Sequence, residues 1–510
     1  MNAGIRRVGL AVILLFLGLV AQLTYLQVGR SDNLANASAN PRRTFADLRR
    51  DRGPIETSDG VPVALSVASN DEFKHQRVYP SATATLFANV VGYESVQHGS
   101  VGVESVYGAD LEGRTFDLQF HNLADALANK QPVGTVVLTM SKLAQGTAAF
   151  ALQGKRGSVV VLDVDTGGVL AAYSNPTFDP NPLASHDSAT AKDAFAFLAN
   201  DPENPLLSRA WRELYPPGST FKTVTASIAL QNGVDIDKKF PVLDRIPLPQ
   251  TNGVTLGNFG GERCGGSLLE GFIVSCNTTF AQVGLDLGEQ FATGIQRFGV
   301  QTTPPREDGS GIDPPMIAST GPLPGTFQQN QPKFMQDAIG QNQVLVPPME
   351  MALVAEAIAN QGVILSPHVV DCVLDPSNKV VSRVGVQQYK RAIDPATADA
   401  MRTFMLGVVN DPRGTGTAAQ IPNVQVAGKT GTAETAPGEK PHAWFIAFAP
   451  ADHPKYAVAV LVEHGGSDAA EATGGRVAAP IAKQVLQTLL STAAPASPCS
   501  GQSGSPTTGR

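Results

Sequence analysis

The chain has 510 residues, 42% of them hydrophobic and 16% charged, and carries a formal net charge of −7. That length accommodates two or three domains with at least one sizeable core, and the composition excludes a polytopic membrane protein. The acidic balance excludes a broad nucleic-acid surface, because basic residues gather only in pairs such as Arg42-Arg43 and Arg49-Arg50.

In chain order the first element is apolar. Arg6 and Arg7 precede an uncharged run from Val8 to Ala21, and the apolar character continues to Val28. Roughly 20 such residues cross about 30 Å of hydrocarbon as a helix, and paired arginines hold the N-terminus in the cytoplasm. The expectation is a cytoplasmic segment (1–7), a transmembrane signal-anchor (8–28) and an extracytoplasmic remainder. A cleaved signal peptide is the weaker reading, since the small-residue pattern Ala37-Ser38-Ala39 lies too far beyond the apolar run.

Residues 29–150 read as a mixed region of short strands and turns. Arg52-Gly53-Pro54-Ile55 followed by Asp59-Gly60 is turn chemistry around an extended segment. Gly99 to Glu104 is a Gly-punctuated loop without the following helix start that a phosphate-binding loop needs. From Gly157 the pattern sharpens. Strands at Ser158–Val164 and Val169–Tyr173 flank the turn Asp165-Thr166-Gly167-Gly168 and predict a hairpin. Ser219–Leu230 has helical periodicity, with Phe221, Val224, Ile228 and Ala229 available for one buried face. Met349–Asn360 is a second helix, ended by Gly362. Val424–Ala427, Trp444–Ala449 and Tyr456–Val462 are strand candidates, and Ala478–Leu490 is the final helix.

The early hairpin is expected to join the late strands in one antiparallel sheet packed with helices, an α+β domain over 151–492. The Ser-, Pro- and Gly-rich stretch 493–510 predicts a disordered tail. Four cysteines occur without a CxxC pair, and there is no HExxH, so no metal site is expected. An exported chain can keep disulfides. Cys264 and Cys276 are close enough in sequence to be bridged, but spacing alone does not separate a bridge from two independent thiols.

Three motifs carry candidate chemistry. In Pro216-Pro217-Gly218-Ser219-Thr220-Phe221-Lys222 the Pro-Pro-Gly turn opens a helix, and Ser219 and Lys222 share a face at i, i+3. A serine hydroxyl needs a base, and a lysine serves as one when burial or a neighbouring cation lowers its pKa. Alone, the pattern is equally a capping Ser beside a solvated Lys. Ser275-Cys276-Asn277 offers a hydroxyl and an amide for one cleft, Ser275 to relay a proton and Asn277 to bind a substrate amide and hold Lys222. Either is also an ordinary N-cap before Phe280 to Leu285. Lys429-Thr430-Gly431-Thr432 follows a strand. Its lysine and hydroxyls suit a substrate carboxylate, its glycine lets a ligand backbone approach, and the Thr432 N–H can join that of Ser219 as an oxyanion hole. The bland alternative there is an edge strand with a solvated lysine.

The ordered trio SxxK, SxN, KTG is the motif set of penicillin-binding proteins and class A β-lactamases. With it, the chain resembles class B penicillin-binding proteins, in particular the actinobacterial A type. The likeness extends over nearly the whole length. It includes Arg52-Gly53-Pro54-Ile55, Gly102-Val103-Glu104, Ser174 to Asn181, Tyr215 to Lys222, Gly340-Gln341, Ala427 to Glu434 and His442-Ala443-Trp444-Phe445. The resemblance implies a penicillin-binding/β-lactamase-like transpeptidase domain, preceded by a single transmembrane helix and a mixed α/β pedestal or dimerisation-type domain. It implies a plasma-membrane D,D-transpeptidase that acts on the D-Ala-D-Ala end of peptidoglycan stem peptides, is acylated by β-lactams, uses no cofactor, and serves cell division or cell shape beside a glycosyltransferase and other cell-wall proteins. Carried onto this chain, Ser219 is the nucleophile, Lys222 its base, Ser275 the proton relay and Asn277 the acyl-chain ligand. Lys429, Thr430 and Thr432 then grip the carboxylate, and the N–H groups of Ser219 and Thr432 form the oxyanion hole. The N-terminal region is too short for a glycosyltransferase domain. The competing functions are a D,D-carboxypeptidase, a β-lactamase or β-lactam sensor, for which no Glu-x-x-Leu-Asn stands between Asn277 and Lys429, and a non-catalytic cell-wall scaffold.

Overall fold

Continuous β-branched and aromatic runs form the centre of the fold. In the computed structural model, which describes residues 7, 13–19, 22, 49–121, 132–302, 316–436, 438–465, 472–493, 496–501 and 505–506, five strands make one sheet. These are β1 (Gly157–Asp163), β2 (Val169–Asn175), β3 (Ala427–Ala433), β4 (His442–Ala449) and β5 (Tyr456–Val462), in the order β3-β4-β5-β1-β2 with every pairing antiparallel. The early hairpin thus meets the late strands as the alternation predicts.

Successive side chains of a strand leave opposite faces, and here both faces are covered. Val159, Val161, Phe445, Val458 and Val460 pack with Ala148, Val485 and Leu486 of helices α1 (Lys142–Leu152) and α6 (Ala479–Ser491). Val160, Leu162, Trp444, Ile446 and Leu461 belong to a larger core with α2 (Lys222–Gln231), α3 (Asn277–Leu287), α4 (Pro348–Ala359) and α5 (Pro395–Asn410). Double coverage explains why β4 reads as an unbroken apolar run and is buried along its whole length. Each such Val, Ile or Leu contributes roughly 1.5–3 kcal/mol through its removal from water.

The first departure from expectation is β3. It was placed at Val424–Ala427 but runs from Ala427 to Ala433, so the Lys-Thr-Gly-Thr stretch lies within the strand rather than behind it. Seven consecutive pairings with β4, from Ala427↔Phe448 to Ala433↔His442, impose the extended form on residues of modest strand propensity. The second departure is α2. One apolar face was expected, yet every residue from Lys222 to Ala229 is buried, because α3, α5 and the helix Glu289–Arg297 all pack on it. Two of its hydroxyls are satisfied, Ser227 Oγ donating to Thr223 O (2.7 Å) and Thr225 Oγ1 to Ala338 O (2.7 Å), while the buried Thr223 Oγ1 has no hydrogen-bond partner.

The mixed N-terminal sheet crosses the boundary expected near residue 150. Ile55–Glu56 pairs parallel with Thr135–Leu138, and that strand pairs antiparallel with Val370–Leu374, which is followed by Val380–Arg383. Beside the sheet lies a buried charge network. Arg52 meets Glu112 (2.5 Å) and Glu104 (3.0 Å), Arg77 meets Glu104 (2.6 Å), and Tyr79 Oη donates to Glu104 (3.1 Å). Burial opposes the Arg52 charge, but Glu104, Glu94 and Glu112 outweigh it and raise the guanidinium pKa. Burial likewise pushes Glu104 up, and Arg77 and Arg52 more than offset this.

Among the described residues, 49–51 and 67–76 group in a compact unit of their own. Within it, Ser69 N–H donates to Lys74 O (2.7 Å) and Phe73 N–H to Asp71 Oδ1 (3.0 Å), closing a turn. Most of the anchor expected at 8–28 lies outside the described residues; among those described, no helix is long and apolar enough to cross a membrane. The tail differs from expectation at residues 496–501. Cys499 is buried and bridged to Cys372, and Ser497 Oγ donates to Asp371 (2.9 Å). Cys264 and Cys276 are also bridged, with Cα atoms 5.8 Å apart.

Candidate active site

The chain around Ser219 is shaped by three close approaches. Gly218 has φ 55°, a conformation that glycine adopts without a Cβ penalty, and a Cβ there would lie 2.6 Å from Thr432 O. Its N–H donates to Gly340 O (2.9 Å), and Trp444 Nε1 donates to Pro216 O (3.0 Å). Gly218–Phe221 is a 3₁₀ turn, and the α-helix proper begins at Lys222. Ser219 therefore sits in the tighter turn before α2, where the leading N–H groups have no intrahelical acceptor.

Gly431 plays a different part from the one expected. A Cβ there would lie 2.8 Å from Pro217 O and 2.9 Å from both Thr220 Cγ2 and Trp444 Cβ. The room is used by the protein's own Ser219 segment, which presses β3 against the start of α2.

The middle motif follows the short helix Leu268–Ile273, whose N-terminus carries a reciprocal Ser267–Glu270 capping box. Ser275 then takes φ 61°, a left-handed conformation that costs a non-glycine residue on the order of 1–3 kcal/mol. Cys276 follows with its N–H on Gly271 O (2.7 Å). This bend aims both the carbonyl and the hydroxyl of Ser275 at the lysines. Asn277 is not the N-cap of α3; Cys276 holds that position without a side-chain hydrogen bond. Asn258, from a neighbouring loop, accepts from Thr278 N–H instead (2.9 Å), which leaves the Asn277 carboxamide available elsewhere.

The three motifs converge. Lys222 Nζ lies 3.0 Å from Ser219 Oγ, 2.6 Å from Ser275 O, 2.7 Å from Asn277 Oδ1 and 3.4 Å from Ser275 Oγ. Lys429 Nζ donates to Ser275 Oγ (2.8 Å) and to Thr430 O (3.1 Å). Ser275 thus stands between two amines. Both lysines are fully buried, against Phe280 and Phe272 respectively, and the hydrogen-bond partners named here are all neutral. Burial, followed by the charge of Lys429, holds Lys222 well below the usual ammonium range. Burial alone pushes Lys429 down to about 7.

Two like charges so close in low dielectric repel, so the amines do not both stay protonated. With Lys222 neutral, its two N–H groups fit the two carbonyl oxygens, Ser275 O and Asn277 Oδ1. The lone pair then faces the Ser219 hydroxyl, which becomes the donor. Such a hydroxyl can be deprotonated as it attacks an electrophile. On β3, Thr430 and Thr432 share the face opposite to that of Lys429 and Gly431.

Of the eight predicted positions, Ser219, Lys222, Ser275, Asn277 and Lys429 meet in one cluster, whereas Gly431 packs on the Ser219 segment and Thr430 and Thr432 lie on the other face of β3. Sequence reading missed Asn258, Phe272, Phe280 and Trp444 as supports, and Thr415, whose hydroxyl lies 2.6 Å from that of Thr430. It also missed the buried hub Glu463, which pairs with Arg209 (2.7 Å) and accepts from Tyr215 Oη (2.8 Å) just before the Pro-Pro-Gly turn. No local pattern marks these residues; only the folded chain assembles them.

Comparison with known proteins bears on the same elements. Residues 157–487 match the penicillin binding protein transpeptidase domain, and residues 52–137 match the penicillin binding protein A dimerisation domain. The chain is 39% identical over 506 residues to the peptidoglycan D,D-transpeptidase PbpA of Mycolicibacterium smegmatis, covering 96% of this chain and 99% of that one. The PbpA of Mycobacterium tuberculosis is 36% identical with the same coverage. The solved ceftriaxone acyl-enzyme complex of penicillin-binding protein A from M. tuberculosis superposes with a TM-score of 0.80 at 36% identity, covering 88% of this chain and 100% of that one.

Proposed function

The chain belongs to the penicillin-binding protein transpeptidases, and from that membership we propose that it is a serine D,D-transpeptidase cross-linking peptidoglycan stem peptides through an acyl-enzyme. The observation that carries the mechanism is the Ser219–Lys222–Ser275–Lys429 chain of contacts, with the Lys222 amine 3.0 Å from the Ser219 hydroxyl. In this reading Ser219 Oγ attacks the carbonyl of the penultimate D-Ala while Lys222 Nζ takes its proton. The oxyanion is met by the N–H groups of Ser219 and Thr432.

The amide C–N bond then breaks. Ser275, linked by hydrogen bonds to both amines, passes a proton to the departing D-Ala nitrogen. Lys429, Thr430 and Thr432 hold the terminal carboxylate, and Asn277 holds the acyl chain while keeping Lys222 in place. An amine from a neighbouring stem peptide attacks the ester, Lys222 removes the amine's proton, and Ser219 recovers its hydroxyl as the new amide forms. A β-lactam enters by the same first step and remains on Ser219.

We assign the protein to the outer face of the plasma membrane, anchored through residues 8–28, with a pedestal over 29–150 and the transpeptidase domain over 151–492. Its role is in septation, beside a glycosyltransferase. The anchor rests on the Arg6-Arg7 and Val8–Val28 pattern. The decisive experiment is labelling with a fluorescent penicillin, followed by mass spectrometry of the acylated peptide. Wild type labels on the peptide containing Ser219, and Ser219→Ala does not label. Equal labelling of the two would overturn the assignment.

A further inference from the structure

Thr430 meets a hydroxyl that belongs to none of the three motifs. Thr415 Oγ1 lies 2.6 Å from Thr430 Oγ1, with Thr430 buried and Thr415 exposed. The loop that carries Thr415 follows α5 and is closely seated. Gly416 N–H donates to Val408 O (2.9 Å) and Gly414 N–H to Asp411 O (2.8 Å). A Cβ at Gly414 would stand 2.3 Å from Val408 O, and one at Gly475 would stand 2.2 Å from Thr415 O. The backbone around Thr415 is thus packed on both sides, and its hydroxyl is presented at a defined place.

A hydroxyl has one proton and two lone pairs. A Thr430 that donates its proton to an anionic carboxylate can keep the Thr415 contact only by accepting from it. We propose that Thr415 is a positioning residue for substrate recognition. Its O–H donates to Thr430 Oγ1, turns the Thr430 proton toward the terminal carboxylate of the stem peptide or the carboxylate of a β-lactam, and polarises that O–H into a stronger donor. The proposal rests on the reading of Thr430 as a carboxylate ligand.

The test compares Thr415→Val, which removes the hydroxyl but keeps the shape, with Thr415→Ser, which keeps the hydroxyl. The probes are benzylpenicillin, with a free carboxylate, and its methyl ester, without one, in the full chain. Thr415→Val should lower the second-order acylation constant for benzylpenicillin about fivefold to tenfold, the order expected for one lost hydrogen bond. The loss should fall on the binding constant rather than on the limiting acylation rate. Thr415→Ser should recover to within about twofold, and acylation by the ester should not change. Wild-type behaviour of Thr415→Val, an equal loss toward the ester, or no recovery in Thr415→Ser would each overturn the proposal. Thr430→Val separates the two levels. If it is impaired toward benzylpenicillin while Thr415→Val is normal, the Thr415 role alone fails. If Thr430→Val itself acylates normally, the carboxylate reading fails and this inference falls with it.

Discussion

Two pairs of buried cations sit in this chain, and they are treated in opposite ways. Arg52 meets Glu94, Glu104 and Glu112 and Arg77 meets Glu104, and around Arg52 the carboxylates more than compensate for lost hydration. Lys222 and Lys429 are buried as deeply, but the partners named for them are carbonyls and hydroxyls. The first arrangement keeps charge and ties the segment around Arg52 to that around Glu104. The second favours the neutral form of an amine, the form that the proposed base needs. Burial is common to both, so the partners decide between structure and reactivity.

The comparison can be broken most sharply at Lys222. Lys222→Met should cost about 10³-fold in the acylation rate constant, the scale of a lost general base. Thermal stability should hold or rise, because a poorly solvated amine is replaced by an apolar chain. Stopped-flow acylation and a melting curve measure the two. A large loss of stability would mean that the amine is structural after all. The converse variant is Glu104→Gln, which removes the carboxylate shared by Arg52 and Arg77. It should destabilise the protein by about 3–5 kcal/mol in a denaturant titration, while the folded fraction keeps its acylation rate.

The smallest effect is in pH. The proposed carboxylate-binding role requires Lys429 in its charged form, and burial pushes its pKa in the free enzyme down to about 7. A lysine with a depressed pKa loses its proton as pH rises through that value. The second-order acylation constant should therefore decline above about pH 7, approaching tenfold per unit at most. Because folding itself depresses this lysine, the unfolded state holds more protons above about pH 7, so stability should rise over the same range while acylation falls. A flat acylation profile would place Lys429 outside carboxylate recognition.

Much of this contrast was within reach of the sequence. The hairpin and the strands β4 and β5 declare themselves through long apolar runs, since both faces of the sheet are covered. The eight site residues are visible because their chemistry is confined to short stretches at ordered positions. What escaped depends on distant partners. β3 was misplaced because Gly, Lys and Thr are extended there by pairing with β4 rather than by their own preference. The complete burial of α2 was hidden because Lys222, Thr223, Thr225 and Ser227 read as a polar face, and only the packed helices around them show otherwise. Cys372 and Cys499, 127 residues apart, carry no local signal of pairing. The same holds for the strands Val370–Leu374, Val380–Arg383 and Ser505–Pro506 that join the N-terminal sheet.

Among the described residues β3 is the outer strand of its sheet, bonded to β4 on one side only. An unpaired strand border is ordinarily an aggregation hazard, yet it is also a template that grips an extended peptide by its main chain, with no demand on side-chain identity. A guest aligned on such a border is judged by backbone direction and chirality. An enzyme built this way can accept cross-linking partners of varied side-chain chemistry and still refuse a peptide of the wrong hand.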